Sequence, residues 1–125
     1  MTAEKPLSQG LPPEARLRDP RVYRAIKDQG RRMVTKYLIA NWRELPDGSR
    51  SQLGLITSRK TGNAVVRSRA RRLMREAFRR HQNDLSQPVT MVLIARPALA
   101  GKAYVEVEHA YLLVLKQARL LKLRS

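Results

Sequence analysis

Cysteine is absent from this 125-residue sequence, and that absence removes disulfides, thiolate zinc sites and thiol nucleophiles together. Long apolar runs are missing as well. The longest purely apolar stretch, Met91 to Ala95, is far short of the roughly 20 residues that cross a bilayer, and Met1 to Gly10 has no apolar segment resembling a signal peptide. The chain is therefore expected in the cytoplasm. Histidine occurs only at His81 and His109, far apart in sequence. The acids are scattered, and Glu106 and Glu108, two apart on a helix, diverge. An unaided nuclease, which needs a histidine pair or a clustered carboxylate metal site, finds neither here. No glycine-rich phosphate loop of recognised spacing is present, and Thr61-Gly62-Asn63 reads as a helix entry whose free N–H groups suit a phosphate.

Acid is also scarce relative to base: 10 Asp and Glu stand against 26 Lys and Arg, a formal charge of +16 and a pI near 11.5. Such a field attracts polyanions, and without a membrane-seeking segment the expected partner is nucleic acid. The charge is concentrated. Between Arg59 and Arg80 lie nine basic residues, eight of them arginine, and a single acid, Glu76. Written on a helix from about Gly62, this segment places Val66, Ala70, Leu73, Met74 and Ala77 on one apolar stripe, with Phe78 and His81 at its edge. Arg67, Arg71, Arg75 and Arg79 run up the neighbouring flank with Arg72 beside them, while Arg69 and Arg80 lie on the far flank near Glu76. Like charges at i,i+4 repel by roughly 0.2–0.5 kcal/mol per pair, so the row costs a free helix about 1 kcal/mol. A polyanion removes that cost, and arginine forks suit phosphate.

With 42% hydrophobic residues the chain can bury one core. Residues 1–15 are polar and marked by Pro6, Pro12 and Pro13, and read as a flexible tail; residues 16–125 form one domain. Asp19-Pro20 caps and opens a helix that ends near Gly30. Val34 to Trp42 and Leu53 to Thr57 read as strands, and Pro46-Asp47-Gly48 predicts that they pair as an antiparallel hairpin. The arginine helix follows and ends before Pro88. Val89 to Ala95 is a covered strand stopped by Arg96-Pro97. A final helix from about Ala103 keeps Val107, Ala110, Tyr111, Val114, Ala118 and Leu121 in register, with Lys122 and Arg124 at its end. The expected order is α-β-β-α-β-α, an α+β two-layer sandwich of helices on a small sheet.

The segment Leu53 to Phe78 resembles the signature region of the bacterial ribonuclease P protein subunit. That family's pattern is a strand ending in a basic pair, here Arg59-Lys60, then G-x-A-V-x-R-N-R-x-(K/R)-R-x-x-R-(E/Q)-x-F, here Gly62 to Phe78. Val92-Leu93-Ile94-Ala95-Arg96-Pro97 resembles the family's later strand, and the likeness spans roughly residues 16 to 121. One position departs: Ser68 stands where the family usually has asparagine, and serine keeps a donor and an acceptor but loses the amide's reach and paired geometry.

The resemblance implies a left-handed βαβ crossover around the arginine helix, an exception to the usual right-handed rule. It further implies a subunit of an endonuclease that removes the 5′ leader of precursor tRNA, the chemistry residing in a catalytic RNA that holds Mg2+. Carried over, Arg59, Lys60, Arg67, Ser68, Arg69, Arg71, Arg72 and Arg75 would bind the catalytic RNA. A cleft between the first helix and the sheet would take the single-stranded leader, lined by Tyr23 and a strand aromatic, Tyr37. Lys27 falls where a second aromatic is frequent, shifting weight from stacking to charge. Membrane and DNA are not expected partners. A small basic structural ribosomal protein shares the size and charge and is the alternative from another class.

Overall fold

A computed structural model describes residues 11–122. Among these residues three α-helices are present, α1 (Pro20–Gln29), α2 (Ala64–Arg80) and α3 (Tyr104–Gln117), with strands β1 (Arg31–Val34), β2 (Leu38–Glu44), β3 (Gln52–Ile56) and β4 (Val89–Ala95). Each helix starts where local chemistry allows. The Asp19 carboxylate accepts from Arg21 N at 2.9 Å, and Asn63 Oδ1 accepts from Val66 N at 3.0 Å. Before Asn63 the chain turns at Gly62, whose φ of +148° a side chain would rarely adopt, and whose added Cβ would meet the Val66 side chain. In α3, Glu106 Oε1 reaches back to accept from Ala103 N at 3.1 Å.

The sheet order is β1-β2-β4-β3, with β4 antiparallel to β2 and parallel to β3. The hairpin expected between Val34 to Trp42 and Leu53 to Thr57 therefore does not form, because β2 and β3 are not neighbours. Pro46 to Gly48 does turn, with Gly48 at φ +88° and Ser49 N donating to Pro46 O, but the chain then crosses β4 before laying down β3. The physical reason is in β4, whose Val89, Met91, Leu93 and Ala95 point to one face and Val92 to the other, all buried. A strand apolar on both faces is most stable with neighbours on both edges.

The strand expected over Val34 to Trp42 is two strands. Thr35 breaks it: its N–H and Oγ1 each donate to Leu38 O at 2.8 Å, and its Oγ1 accepts from Leu38 N at 3.1 Å. The order is thus α-β-β-β-α-β-α, one strand more than expected. Arg31 and Arg32 hid that strand, because an edge strand tolerates charge that a central one does not.

α2 and α3 cover one face of the sheet over a core that includes Trp42, Leu73, Phe78, Met91, Leu93 and Tyr111. This is the expected two-layer arrangement, and α1 is added on the opposite face, where Ile26 packs with Leu17 and Val92. The packed chain begins earlier than the expected boundary at residue 16. Leu11 and Ala15 are core residues, and Leu17 N donates to Leu53 O at 2.9 Å along the open edge of β3. The rest of the expected tail, residues 1–10, and Arg124 lie outside the described residues. α3 ends at Gln117, and Arg119 at φ 61° turns the chain back so that Leu121 bridges Leu85.

Candidate nucleic-acid interface

α2 presents its cations much as the periodicity demands, and its apolar stripe explains why. Ala70, Leu73, Met74, Ala77 and Phe78 are buried, which fixes the helix rotation and turns Arg67, Arg71, Arg72 and Arg75 away from the core. Arg71 Nη1 donates to Thr57 Oγ1 at 2.8 Å, anchoring the guanidinium beside the end of β3. Burial, then the neighbouring charges of Arg16, Arg71 and Arg72, pull the Arg75 pKa below its ordinary value. Ser68 is half-buried on the same flank, and its hydroxyl forms no hydrogen bond among the described residues. Arg59 and Lys60 are exposed in the turn leading into α2. Arg69 faces the other way, its Nη1 donating to Lys102 O at 2.8 Å, so it stands apart from the Arg67, Arg71, Arg75 row.

Arg79 continues that row in sequence but not in charge. Its Nε and Nη2 donate to the Glu76 carboxylate at 2.9 and 2.6 Å, and Arg80 Nε adds a third bond at 2.6 Å. The Glu76 carboxylate is 1% exposed; burial pushes its pKa up, and the two arginines outweigh this and hold it below the usual range. Arg80 also lies 4.7 Å from the Tyr104 ring centre.

His81 closes the far flank. Its Nδ1 lies 2.7 Å from Asp84 Oδ2 and its Nε2 2.8 Å from Glu108 Oε2, which also accepts from the Tyr104 hydroxyl at 3.2 Å. Burial pulls the imidazole pKa down, but the bonds to Asp84 and Glu108 prevail and raise it. A raised folded-state pKa gives stability that is fully present below the ordinary imidazole value and is lost as pH rises through the folded value. We expect the melting temperature of the wild type to fall across that window and that of His81→Gln to change less; parallel thermal melts across the pH range, equal in both proteins, would refute the assignment. His109 is exposed and Glu106 is occupied by its helix cap, so neither joins the His81 cluster.

On the other face, α1 and the sheet enclose a cleft of about 500 Å³. Its cationic rim is Arg24 and Lys27 from α1 and Arg32 from β1, and its apolar floor includes Val92 and Ile94 of β4. Tyr23 forms one wall. Its hydroxyl donates to Leu17 O at 3.2 Å, and its ring lies against Gly54, where an added Cβ would sit 2.4 Å from the phenol oxygen. Gly54 is thus a close approach of ring to backbone. Asn41 lines the same cleft, 4% exposed, with its Oδ1 buried and unpartnered among the described residues.

Of the expected leader-cleft residues, the structure brings Tyr23 and Lys27 together and sends Tyr37 elsewhere. Tyr37 packs on the opposite face against the main core, with the Lys36 and Lys102 ammonium groups each 5.6 Å from its ring centre. The reason is the break at Thr35: Tyr37 belongs to the turn, not to the strand register assumed for it. Arg24, Arg32 and Asn41 were not foreseen. Arg24 shares the face of Tyr23 and Lys27 by helical spacing, a signal available in the sequence, whereas Arg32 and Asn41 become cleft residues only once β1 and β2 pair, Arg32 opposite Asn41.

A sequence model of the family described as Ribonuclease P matches residues 11–119. The chain belongs to the ribonuclease P protein component family. It is therefore part of an endoribonuclease complex of tRNA processing. The ribonuclease P protein component of Clostridium beijerinckii is 37% identical over 101 residues, 79% of this chain and 81% of that protein. That of Syntrophomonas wolfei is 32% identical over 111 residues, 88% of this chain and 92% of that protein. Among solved structures, the RNase P protein from Thermotoga maritima has a TM-score of 0.72 at 28% identity, covering 82% of this chain and 96% of that one. The RNase P protein from Staphylococcus aureus shares the fold with a TM-score of 0.77 at 22% identity, covering 86% and 98%.

Proposed function

We propose that this ribonuclease P protein binds two RNAs with two faces. The α2 flank of Arg67, Ser68, Arg71, Arg72 and Arg75, with Arg59 and Lys60 before it and Arg69 on its outer side, binds the catalytic RNA. The α1 cleft takes the single-stranded 5′ leader of precursor tRNA, with Tyr23 as a stacking wall and Arg24, Lys27 and Arg32 pairing with the backbone. The observation that carries this reading is the pairing of two basic surfaces of different shape. One is a convex helical row suited to the backbone of a folded RNA, the other a narrow cleft with an apolar floor that admits a single strand.

Phosphodiester hydrolysis is assigned to the RNA, acting in the cytoplasm. Among the described residues no group of three or more histidine or acidic side chains could hold a metal ion. We attribute Mg2+ to the phosphates of the catalytic RNA. The protein's part is electrostatic: it lowers the repulsion between two polyanions and fixes the register of the leader.

The test is to purify the protein with its bound RNA, assay precursor tRNA cleavage, strip the RNA and add it back. Activity is expected to vanish with the RNA and return with it; cleavage by the stripped protein would refute the assignment of chemistry to the RNA. The two faces separate through Gly54→Ala, which must displace Tyr23 from the cleft wall. Affinity for precursor tRNA over mature tRNA is expected to fall about tenfold, the scale of one lost base stack. Affinity for the catalytic RNA should stay unchanged.

A further inference from the structure

Tyr23 also lines a second cavity, of about 440 Å³. Four arginines line it: Arg16 and Arg18 from the segment before α1, and Arg71 and Arg75 from α2. We propose that this cavity is a phosphodiester subsite in which Arg16 and Arg18 join Arg71 and Arg75 around a backbone phosphate of RNA. The proposal deepens, and rests on, the two-face reading above, and it adds two residues that the arginine motif does not contain.

Three observations support it. First, two of the four cations are held in place before any ligand arrives. Arg16 Nε donates to Leu11 O at 2.8 Å, its terminal N–H groups have no partner among the described residues, and its backbone is bridged to Leu53 at the edge of β3. Arg71 is fixed by Thr57. Preorganised forks lose less entropy per bond formed, which favours a planar-donor site for a phosphate oxygen pair. Second, no carboxylate among the described residues forms an ion pair with any of the four. This contrasts with Arg79 and Arg80, which have Glu76, and the mutual repulsion registers at Arg75, whose guanidinium feels Arg16 and Arg71. Third, the location gives continuity. Tyr23 lines both cavities, so a strand whose base stacks on that ring passes its backbone from the cleft rim at Arg24 and Lys27 to the four arginines.

The phosphodiester has two sources, the leader strand and the catalytic RNA, and the experiment separates them. Arg18→Ala is the primary variant, because Arg18 is exposed and has no intramolecular partner among the described residues. Arg16→Ala is the second, accompanied by a thermal melt because it releases Leu11 O. Each is titrated with a short single-stranded RNA, with the full catalytic RNA, and with inorganic phosphate while the arginine Nε–Hε signals are followed by NMR.

For the wild type, phosphate should shift the Arg16 and Arg75 signals saturably. Each variant should lose about tenfold in affinity for one RNA, and its salt slope on that RNA should become shallower by roughly 0.7–0.9. Loss on the short strand assigns the phosphate to the leader, and loss on the catalytic RNA alone assigns it there. Wild-type affinity and slope for both RNAs in both folded variants would overturn the subsite while the restored cleavage of the stripped and reconstituted wild type still stood. Failure of the wild type itself to bind either RNA would remove the two-face reading along with it.

Discussion

Replacing Arg67, Arg71 and Arg75 together by alanine is expected to weaken binding to the catalytic RNA by about a thousandfold or more while leaving the protein folded. Hydrogen bonds to charged groups contribute about 1.5–3 kcal/mol each, so three forks facing phosphate account for that loss even after their entropic cost. The slope of log affinity against log salt should become shallower by roughly 2 to 3 units, because about three counterion-releasing contacts disappear. Stability should hardly move. The substitutions remove the bond from Arg71 to Thr57, but they also relieve the i,i+4 repulsions of the row, worth roughly 0.2–0.5 kcal/mol each, and alanine is the better helix former.

Arg79→Ala is the matched control, since Arg79 sits on the same row but spends its charge on Glu76. It should change the melting temperature more than the salt slope. Binding and circular-dichroism melts on both proteins decide the matter. An unaltered slope in the triple variant would mean that the flank does not face RNA.

How much of this was legible in the sequence depends on the range of the interaction. The rotation of α2 was legible because it is local: the stripe from Val66 to Phe78 repeats at the helical period, and everything on the opposite side follows from it. The N-cap of α1, the strand Val89 to Ala95 and the rhythm of α3 as far as Val114 were legible on the same grounds, but the end of α3 was not: Leu121, expected in the same register, lies beyond Gln117. The pairing of strands was not. Pro46 to Gly48 satisfies turn chemistry whether or not its flanking strands pair, and which strand lies beside β2 is settled by β4, nearly 50 residues further on, through burial on both of its faces. Tyr37, placed in the cleft by the resemblance, was misplaced for a separate reason. A strand side chain changes face with a one-residue slip, so the turn at Thr35 was enough to move Tyr37 from the cleft to the opposite face. The subsite arginines were illegible for a related reason: Arg16 and Arg18 stand between the expected tail and the first helix, where no periodicity orients them, and only the bridge of Arg16 to Leu53 brings them to Arg71 and Arg75.

The second large effect falls on the buried side of the same helix. Phe78→Ala is expected to cost about 3–5 kcal/mol, the usual range for removing a fully buried aromatic ring. Phe78 is 0% exposed and packs in the cluster that joins α2 to the sheet and to α3. Domains of this size keep about 5–15 kcal/mol in total, and the charge of +16 works against compaction. The melting temperature should therefore drop on the order of 15 °C, and RNA binding at 37 °C should fail through unfolding. Below the melting transition the outcome differs. At 10 °C the variant should bind the catalytic RNA within about twofold of wild type, because the cations of the opposite flank remain on an intact helix. Phe78→Leu, which keeps most of the volume, should recover most of the loss. A melting temperature unchanged in Phe78→Ala would contradict its place in the core. Lost affinity in the cold, folded variant would mean that anchor and binding face are coupled, whereas the geometry of α2 keeps them on separate sides.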